Sequence, residues 1–166
     1  MAQTEKQAEK QTESRLTNLY EHPGHLLRRA QQISVSIFHD EMGDELTPVQ
    51  YAMLRSLESH AGIDQVSLSA ISGIDTSTGA TVCARLEEKG LLTRTVIPSN
   101  RRQRALAITA TGEQLLADLI PGAQRLRRRL LAPLSAPEQL QFMALLSKLV
   151  QENNDQSRAP LARREA

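Results

Sequence analysis

The stretch from Gln65 to Gly112 constrains this chain more than any other, because four local signals follow one another with almost no slack. Leu68 and Ile71, spaced i and i+3, predict a helix over about Ser67 to Ile71, and Gly73 stops it. Asp75 has the chemistry of a helix N-cap, followed by a first turn of Thr76, Ser77 and Thr78. That second helix runs to about Lys89, and Gly90 stands where a C′ glycine belongs. Val82, Cys83 and Leu86 form its apolar stripe, which leaves Thr78, Thr81 and Arg85 on other faces. Thr93, Thr95 and Ile97 then alternate with Arg94 and Val96, Pro98-Ser99-Asn100 carries turn chemistry, and Ala105 to Ile108 reads as a return strand.

The charge pattern of this unit points to a polyanion. No acid lies between Thr76 and Leu86, so the outward start of the second helix offers short hydroxyls at the positive end of a helix dipole. A helix of that kind enters a DNA major groove without repulsion from phosphates. From Thr93 to Gly112 stand Arg94, Arg101, Arg102 and Arg104, again with no acid. A hairpin tip with adjacent arginines fits a narrow minor groove, where the potential is most negative. The expected fold is therefore mainly α with a small β-wing: a winged helix-turn-helix domain plus a helical dimerisation region. The competing account of the same residues is a small α+β core motif with a solvated hairpin and ordinary hydroxyl caps.

The flanks supply the dimerisation region. Residues 1–15 are polar and read as a disordered tail, and residues 16–46 hold the first long helix, about His25 to Met42. Its apolar positions Leu26, Leu27, Ala30, Ile33, Val35, Ile37 and Phe38 cover more than one face, which suggests burial against two neighbours. The winged region spans 47–109 and opens on Thr-Pro-Val-Gln, a capping box at Thr47 to Gln50 that starts a helix to about His60, with Met53, Leu54 and Leu57 inward. Residues 110–152 hold two more helices. The first is capped by Thr109 or Thr111, runs to about Leu131, and should bend or break at Pro121-Gly122; the second opens on a capping box at Ser135 to Glu138. Leu140, Phe142, Met143, Leu145, Leu146, Leu149 and Val150 are more than one face of the last helix can bury in a monomer of this size. The first and last helices are thus the expected homodimer interface, and residues 153–166 the flexible tail. Two wings on a two-fold axis would match a palindromic duplex with half-sites ~10 bp apart.

Bulk properties narrow the classes. The chain's 166 residues fit one domain, and a net charge of +1 excludes a uniformly basic coat, leaving local patches to do the binding. Besides the wing, Arg125, Arg127, Arg128 and Arg129 form such a patch, read as a solvated helix face or as dimer salt bridges. The single cysteine, Cys83, rules out an intramolecular disulfide and a cysteine-rich zinc site. Four aromatic residues and no Trp argue against stacking platforms for single strands. No signal peptide or membrane span is read, so a cytoplasmic, nucleoid-associated protein without membrane contact is expected. No enzyme motif is present: neither a nucleophile elbow, nor a phosphate-binding glycine loop, nor paired carboxylates.

Three segments together resemble one family. Leu-Glu-Glu-Lys-Gly-Leu-Leu-Thr-Arg at Leu86 to Arg94, Pro-Ser-Asn-Arg-Arg at Pro98 to Arg102, and Leu-Ala-Ile-Thr-Ala-Thr-Gly at Leu106 to Gly112 look like the MarR family of bacterial regulators. Leu46 to Leu54 is similar to that family's second helix, and the likeness spans about His25 to Val150. The resemblance implies a homodimeric winged helix-turn-helix regulator, usually a repressor released by a small ligand or by oxidation. It places Arg101 and Arg102 on the two arginines of a wing that usually reads Asp-Arg-Arg; Asn100 takes the acid's place and can hydrogen-bond but not neutralise. His22 to Gln32 and Gly62 to Gln65 further resemble a branch that controls the breakdown of aromatic acids.

Site residues follow. Thr76, Ser77, Thr78, Thr81, Arg85, Arg94, Asn100, Arg101 and Arg102 are expected to meet DNA. The branch implies a small aromatic carboxylate as effector, in the narrower form a hydroxylated pyridine carboxylate from nicotinate catabolism. Such a ligand wants a fixed cation and a flat apolar slot. Arg28 supplies the cation, His22 and His25 supply donors, and His39 and Tyr51 come next. No cofactor, catalytic residue or metal site is expected. A redox- or metal-responsive regulator of the same family is the alternative, with Cys83 or the four histidines as sensor.

Overall fold

A computed structural model describes residues 18–97 and 100–161, with backbone alone at residues 97 and 100–103. The expected tail at 1–15 and the turn residues Pro98 and Ser99 lie outside the described residues. The elements are α1 (Pro23–Met42), α2 (Pro48–Glu58), α3 (Gln65–Ile71), α4 (Thr76–Glu88), β1 (Leu92–Ile97), β2 (Asn100–Ile108), α5 (Ala110–Leu131) and α6 (Ala136–Glu152).

Local chemistry sets most of these boundaries. The predicted box closes α2 on both sides: Gln50 N donates to Thr47 Oγ1 at 3.2 Å, and Thr47 N donates to Gln50 Oε1 at 3.0 Å. Thr109, not Thr111, caps α5 by accepting from Gly112 N, and Ser135 pairs with Glu138 at the start of α6. Helix α1 begins earlier than read, at Pro23, because His22 Nδ1 accepts from Gly24 N at 3.2 Å and acts as its N-cap.

One core holds α2, α3, α4, the hairpin and the start of α5. Met53, Leu54, Leu57, Leu68, Cys83, Leu86, Leu106 and Leu116 have no exposed surface, and Leu46 and Leu92 almost none. Burying each such leucine stabilises the fold by about 1.5–3 kcal/mol before entropy is counted. Strands β1 and β2 pair antiparallel from Leu92 opposite Ile108 to Val96 opposite Arg104, with a register shift before Ile97. The return strand therefore starts at Asn100 rather than at Ala105. The segment before α3 extends the hairpin on its other edge: Gly62 N donates to Leu106 O, and Leu106 N to Ile63 O, each at 2.8 Å.

Pro121, α1 and the Arg125–Arg129 patch each differ from the simplest reading. Helix α5 passes Pro121 unbroken. Pro121 and Ala117, whose carbonyl loses its N–H partner, both lie on the exposed side, where water can serve that carbonyl. The opposite side is pressed onto α1, so closely that a Cβ on Gly122 would stand 2.5 Å from Glu41 O. Second, this chain covers α1 on one side only, against α5. Ile37, Phe38 and Met42 are buried near its C-terminus, while Leu26, Leu27 and Ile33 lie about half exposed. Third, Arg125 and Arg129 are no free face: Arg125 Nε meets Glu41 Oε2 at 2.7 Å, and Arg129 Nη1 meets Asp40 Oδ2 at 2.9 Å. They hold the Glu41 carboxyl below its ordinary pKa, with the Arg125 hydrogen bond the main cause.

Helix α6 has no buried residue at all. Leu140 is 75% exposed and Leu145 59%, which no single helix of a finished core would show. Beyond it, where the sequence predicts a fraying tail, residues Asn154–Gln156 make a 3-10 turn. Asn154 Nδ2 donates to Leu161 O, and Leu161 N donates to Asn154 Oδ1. The Leu161 side chain lies against the Gly73 turn between α3 and α4.

Candidate nucleic-acid interface

Helices α3 and α4 cross with almost nothing between them. Ser69, buried, donates its Oγ to Gln65 O at 2.8 Å, and a Cβ on Gly79 would stand only 2.0 Å from that Oγ. The pair escapes a reading of apolar periodicity, although a glycine inside a helical pattern is itself a signal of close approach. Asp64 Oδ1 caps α3 through Val66 N and Ser67 N, while its Oδ2 accepts from Ser67 Oγ; that hydroxyl is the first cause of a lowered Asp64 pKa. Asp75 caps α4 through Thr78 N at 2.9 Å, and its pKa is lowered, first by the Thr78 hydroxyl.

With Val82, Cys83 and Leu86 buried beneath, α4 turns Thr76, Ser77, Thr78, Thr81 and Arg85 outward together. Thr81 Oγ1 donates back to Ser77 O at 3.3 Å. From Thr76 to Thr81 the exposed face is thus small, hydroxylated and free of acid, at the end of a helix where backbone N–H groups point outward. The hairpin springs from the end of α4, and β1 packs against that helix. The side chains of Asn100, Arg101 and Arg102 lie outside the described residues. Arg94 does not join the outward group. Its Nε lies 2.8 Å from Glu87 Oε2, its Nη1 donates to Gln65 Oε1 at 3.1 Å, and only 23% of the side chain is exposed.

The residues expected to bind an effector share the N-terminal end of α1. His22 is its cap, His25 meets the Tyr20 ring edge-on, and Arg28 donates to Gln32 Oε1 at 3.0 Å. They line neither of two cavities found among the described residues. One, about 940 Å³, lies between the ends of α2 and α6, lined by Arg55, Ser59, His60, Val150 and Leu161. The other, about 780 Å³, lies between Lys89 and the first turns of α5. His39 Nδ1 sits 2.9 Å from Asp44 Oδ1, and Phe38 touches both His39 and Tyr51 edge-on. The Cys83 thiol is fully buried, and desolvation pushes its pKa up, the opposite of what a reactive thiolate needs. Among the described residues no group of three or more His, Cys, Asp or Glu could hold a metal ion, and no helix is long and apolar enough to cross a membrane.

A short helix, a turn, a helix with a bare hydroxylated face and a hairpin at its flank define a winged helix-turn-helix DNA-binding protein. Residues 46–103 match the MarR family. The transcriptional regulator HosA of Escherichia coli O111:H- is 36% identical over 126 residues, 76% of this chain and 93% of HosA. The HTH-type transcriptional repressor NicR of Pseudomonas putida is 29% identical over 136 residues, 81% of this chain and 86% of NicR. Among solved structures, Bordetella bronchiseptica BpsR, described with regulation of its DNA binding by 6-hydroxynicotinic acid, superposes with a TM-score of 0.73. It is 30% identical and covers 78% of this chain and 93% of its own. The chain belongs to the MarR family and is a DNA-binding transcriptional regulator, not an enzyme.

Proposed function

We propose that this regulator is a homodimeric repressor of an aromatic-acid catabolic operon, released from a palindromic operator by a small aromatic carboxylate. The observation that carries the dimer is α6, seventeen residues long with none buried. Leu140, Phe142, Met143, Leu145, Leu149 and Val150 on α6, with Leu26, Leu27 and Ile33 on α1, make the apolar surface a second copy would cover. Residues 16–46 and 110–152 are then the dimerisation parts and residues 47–109 the reading unit. Thr76, Ser77, Thr78, Thr81 and Arg85 enter the major groove, and Asn100, Arg101 and Arg102 take the minor groove beside it.

The effector class is supported by the relatives: NicR is a repressor, and 6-hydroxynicotinic acid regulates BpsR. A hydroxylated pyridine carboxylate is the narrower form of the reading. Arg28 would hold its carboxylate, with His22 Nε2 and His25 as donors. All three sit at the bare end of α1, so a second copy would close the slot over them. Ligand there would change the separation of the two reading units, and DNA binding must then meet the cost of restoring it. By linkage, DNA weakens the ligand by the same factor.

The test titrates the protein, at fixed salt, into a fluorescent palindromic duplex from the gene's own upstream region, with and without a panel of benzoates and pyridine carboxylates. Release by one acid, lost in Arg28→Ala, is the expected result. Operator binding that no acid disturbs sinks the effector reading and leaves the regulator. Arg101→Ala or Arg102→Ala should each cost about 1–3 kcal/mol of specific affinity.

A further inference from the structure

Strand β2 is tied to the start of α3 through backbone, by the two hydrogen bonds between Leu106 and the Gly62–Ile63 segment. Strand β1 has a different anchor. Arg94, in its middle and opposite Leu106, turns its guanidinium inward across the lobe. Its Nη1 donates to Gln65 Oε1 in the first turn of α3, and Glu87 Oε2 in the last turn of α4 lies 2.8 Å from its Nε, an ion pair without hydrogen-bond alignment. The rigid guanidinium plane is thus held between two helices by one directed hydrogen bond and one charge contact. The group is three-quarters covered, which weakens the screening that erases most surface pairs.

We propose that Arg94 is a positioning residue for DNA recognition and makes no phosphate contact. It sets the angle between the hairpin and α4. Both must meet one duplex at once, α4 in one groove and the hairpin tip in the next, and a duplex fixes the distance between its grooves. A hairpin that swings about its base still carries its charges and still binds phosphates. What it loses is simultaneous engagement, and so the preference for one sequence. This rests on the DNA-binding reading of α4 and the hairpin.

Glu87→Gln separates the two roles, because it removes a negative charge near DNA. On charge alone it tightens binding to every duplex. As the loss of Arg94's partner it weakens binding only where geometry matters. The probes are a duplex selected from random sequence by the wild-type protein and an unrelated duplex of the same length. Both are titrated with full-length wild type, Glu87→Gln, Arg94→Lys and Arg94→Gln over a range of salt, each variant first shown by circular dichroism to be folded at the assay temperature. The expected result is that Glu87→Gln lowers the ratio of selected to unrelated affinity about three- to tenfold, as loss of a partly covered ion pair predicts. Arg94→Lys, which keeps the charge but not the fork, does the same, and the slope of log affinity against log salt on the unrelated duplex stays at the wild-type value in all three variants. The proposal is overturned if Glu87→Gln binds the selected duplex as well as wild type or better. It is equally overturned if Arg94→Lys is silent while Arg94→Gln flattens the salt slope by about 0.9, the mark of one lost phosphate contact. Loss of the DNA-binding reading itself would show separately, as a wild-type protein that selects no sequence.

Discussion

The reading lobe and the α1–α6 arms are built from similar residues and end up in opposite states. In the lobe, Leu57, Leu68, Leu86 and Leu106 are fully covered by neighbours of the same chain. On the arms, Leu26, Leu140, Leu145 and Leu149 stand between 46% and 75% exposed. The difference is one of completeness. The lobe closes its own core, whereas α6 meets little beyond the turn that follows it. A lobe of the first kind has a stability of its own, and arms of the second kind have one only in company. In the proposed homodimer the labour is divided: the part that reads DNA is finished locally, and the part that would set the spacing of two readers is left for a second copy to finish.

The sharpest way to break this contrast is to damage each side in turn. Leu68→Ala should lower unfolding free energy by about 2–5 kcal/mol in urea titrations, by the same amount at any protein concentration. Leu145→Glu should leave the isolated lobe folded yet shift sedimentation equilibrium from dimer to monomer, costing about 2 kcal/mol or more of association. If the monomer of that variant is also unfolded, the lobe is not self-contained and the contrast fails.

Two smaller effects sharpen it. Gly79→Ala forces a Cβ onto Ser69 Oγ, and should cost about 1–3 kcal/mol of stability, with Ser69→Gly recovering part of it in the double variant. The smallest is electrostatic and lies within the arms, between α1 and α5. Arg125 and Arg129 hold the Glu41 pKa below its ordinary 4.5. A depressed carboxylate contributes stability that is fully present above its unfolded pKa and lost as pH falls through the folded value. Wild type should therefore melt slightly above Glu41→Gln at pH 7, and the gap should close as the pH is taken below about 4.5.

How much of this could be read in advance depended on how far each signal reaches along the chain. The Thr47–Gln50 box, the Asp75 cap and the Gly90 stop act within four residues, and each is where the pattern puts it. The outward set on α4 was legible for the same reason, since 3.6-residue periodicity fixes which positions oppose Val82 and Leu86. What escaped were contacts between distant segments. Nothing near Gly62 says that it pairs with Leu106, and nothing near Arg94 says that Glu87 and Gln65 stand beside it. Pro121 misled in the other direction: a local rule that breaks helices gave way where Pro121 lies on the exposed side of α5 and Gly122 beside it packs on α1.

That unbroken α5 has a mechanical meaning. From the Gly122 contact with Glu41 to its first residue at Ala110 the helix is a rod about 18 Å long, at 1.5 Å per residue. A break at Pro121 would absorb a push. A continuous helix turns it into travel, and a tilt of about 10° at the fulcrum carries the far end about 3 Å. That is the length of one hydrogen bond, the margin between a side chain that touches a base edge and one that hangs short of it.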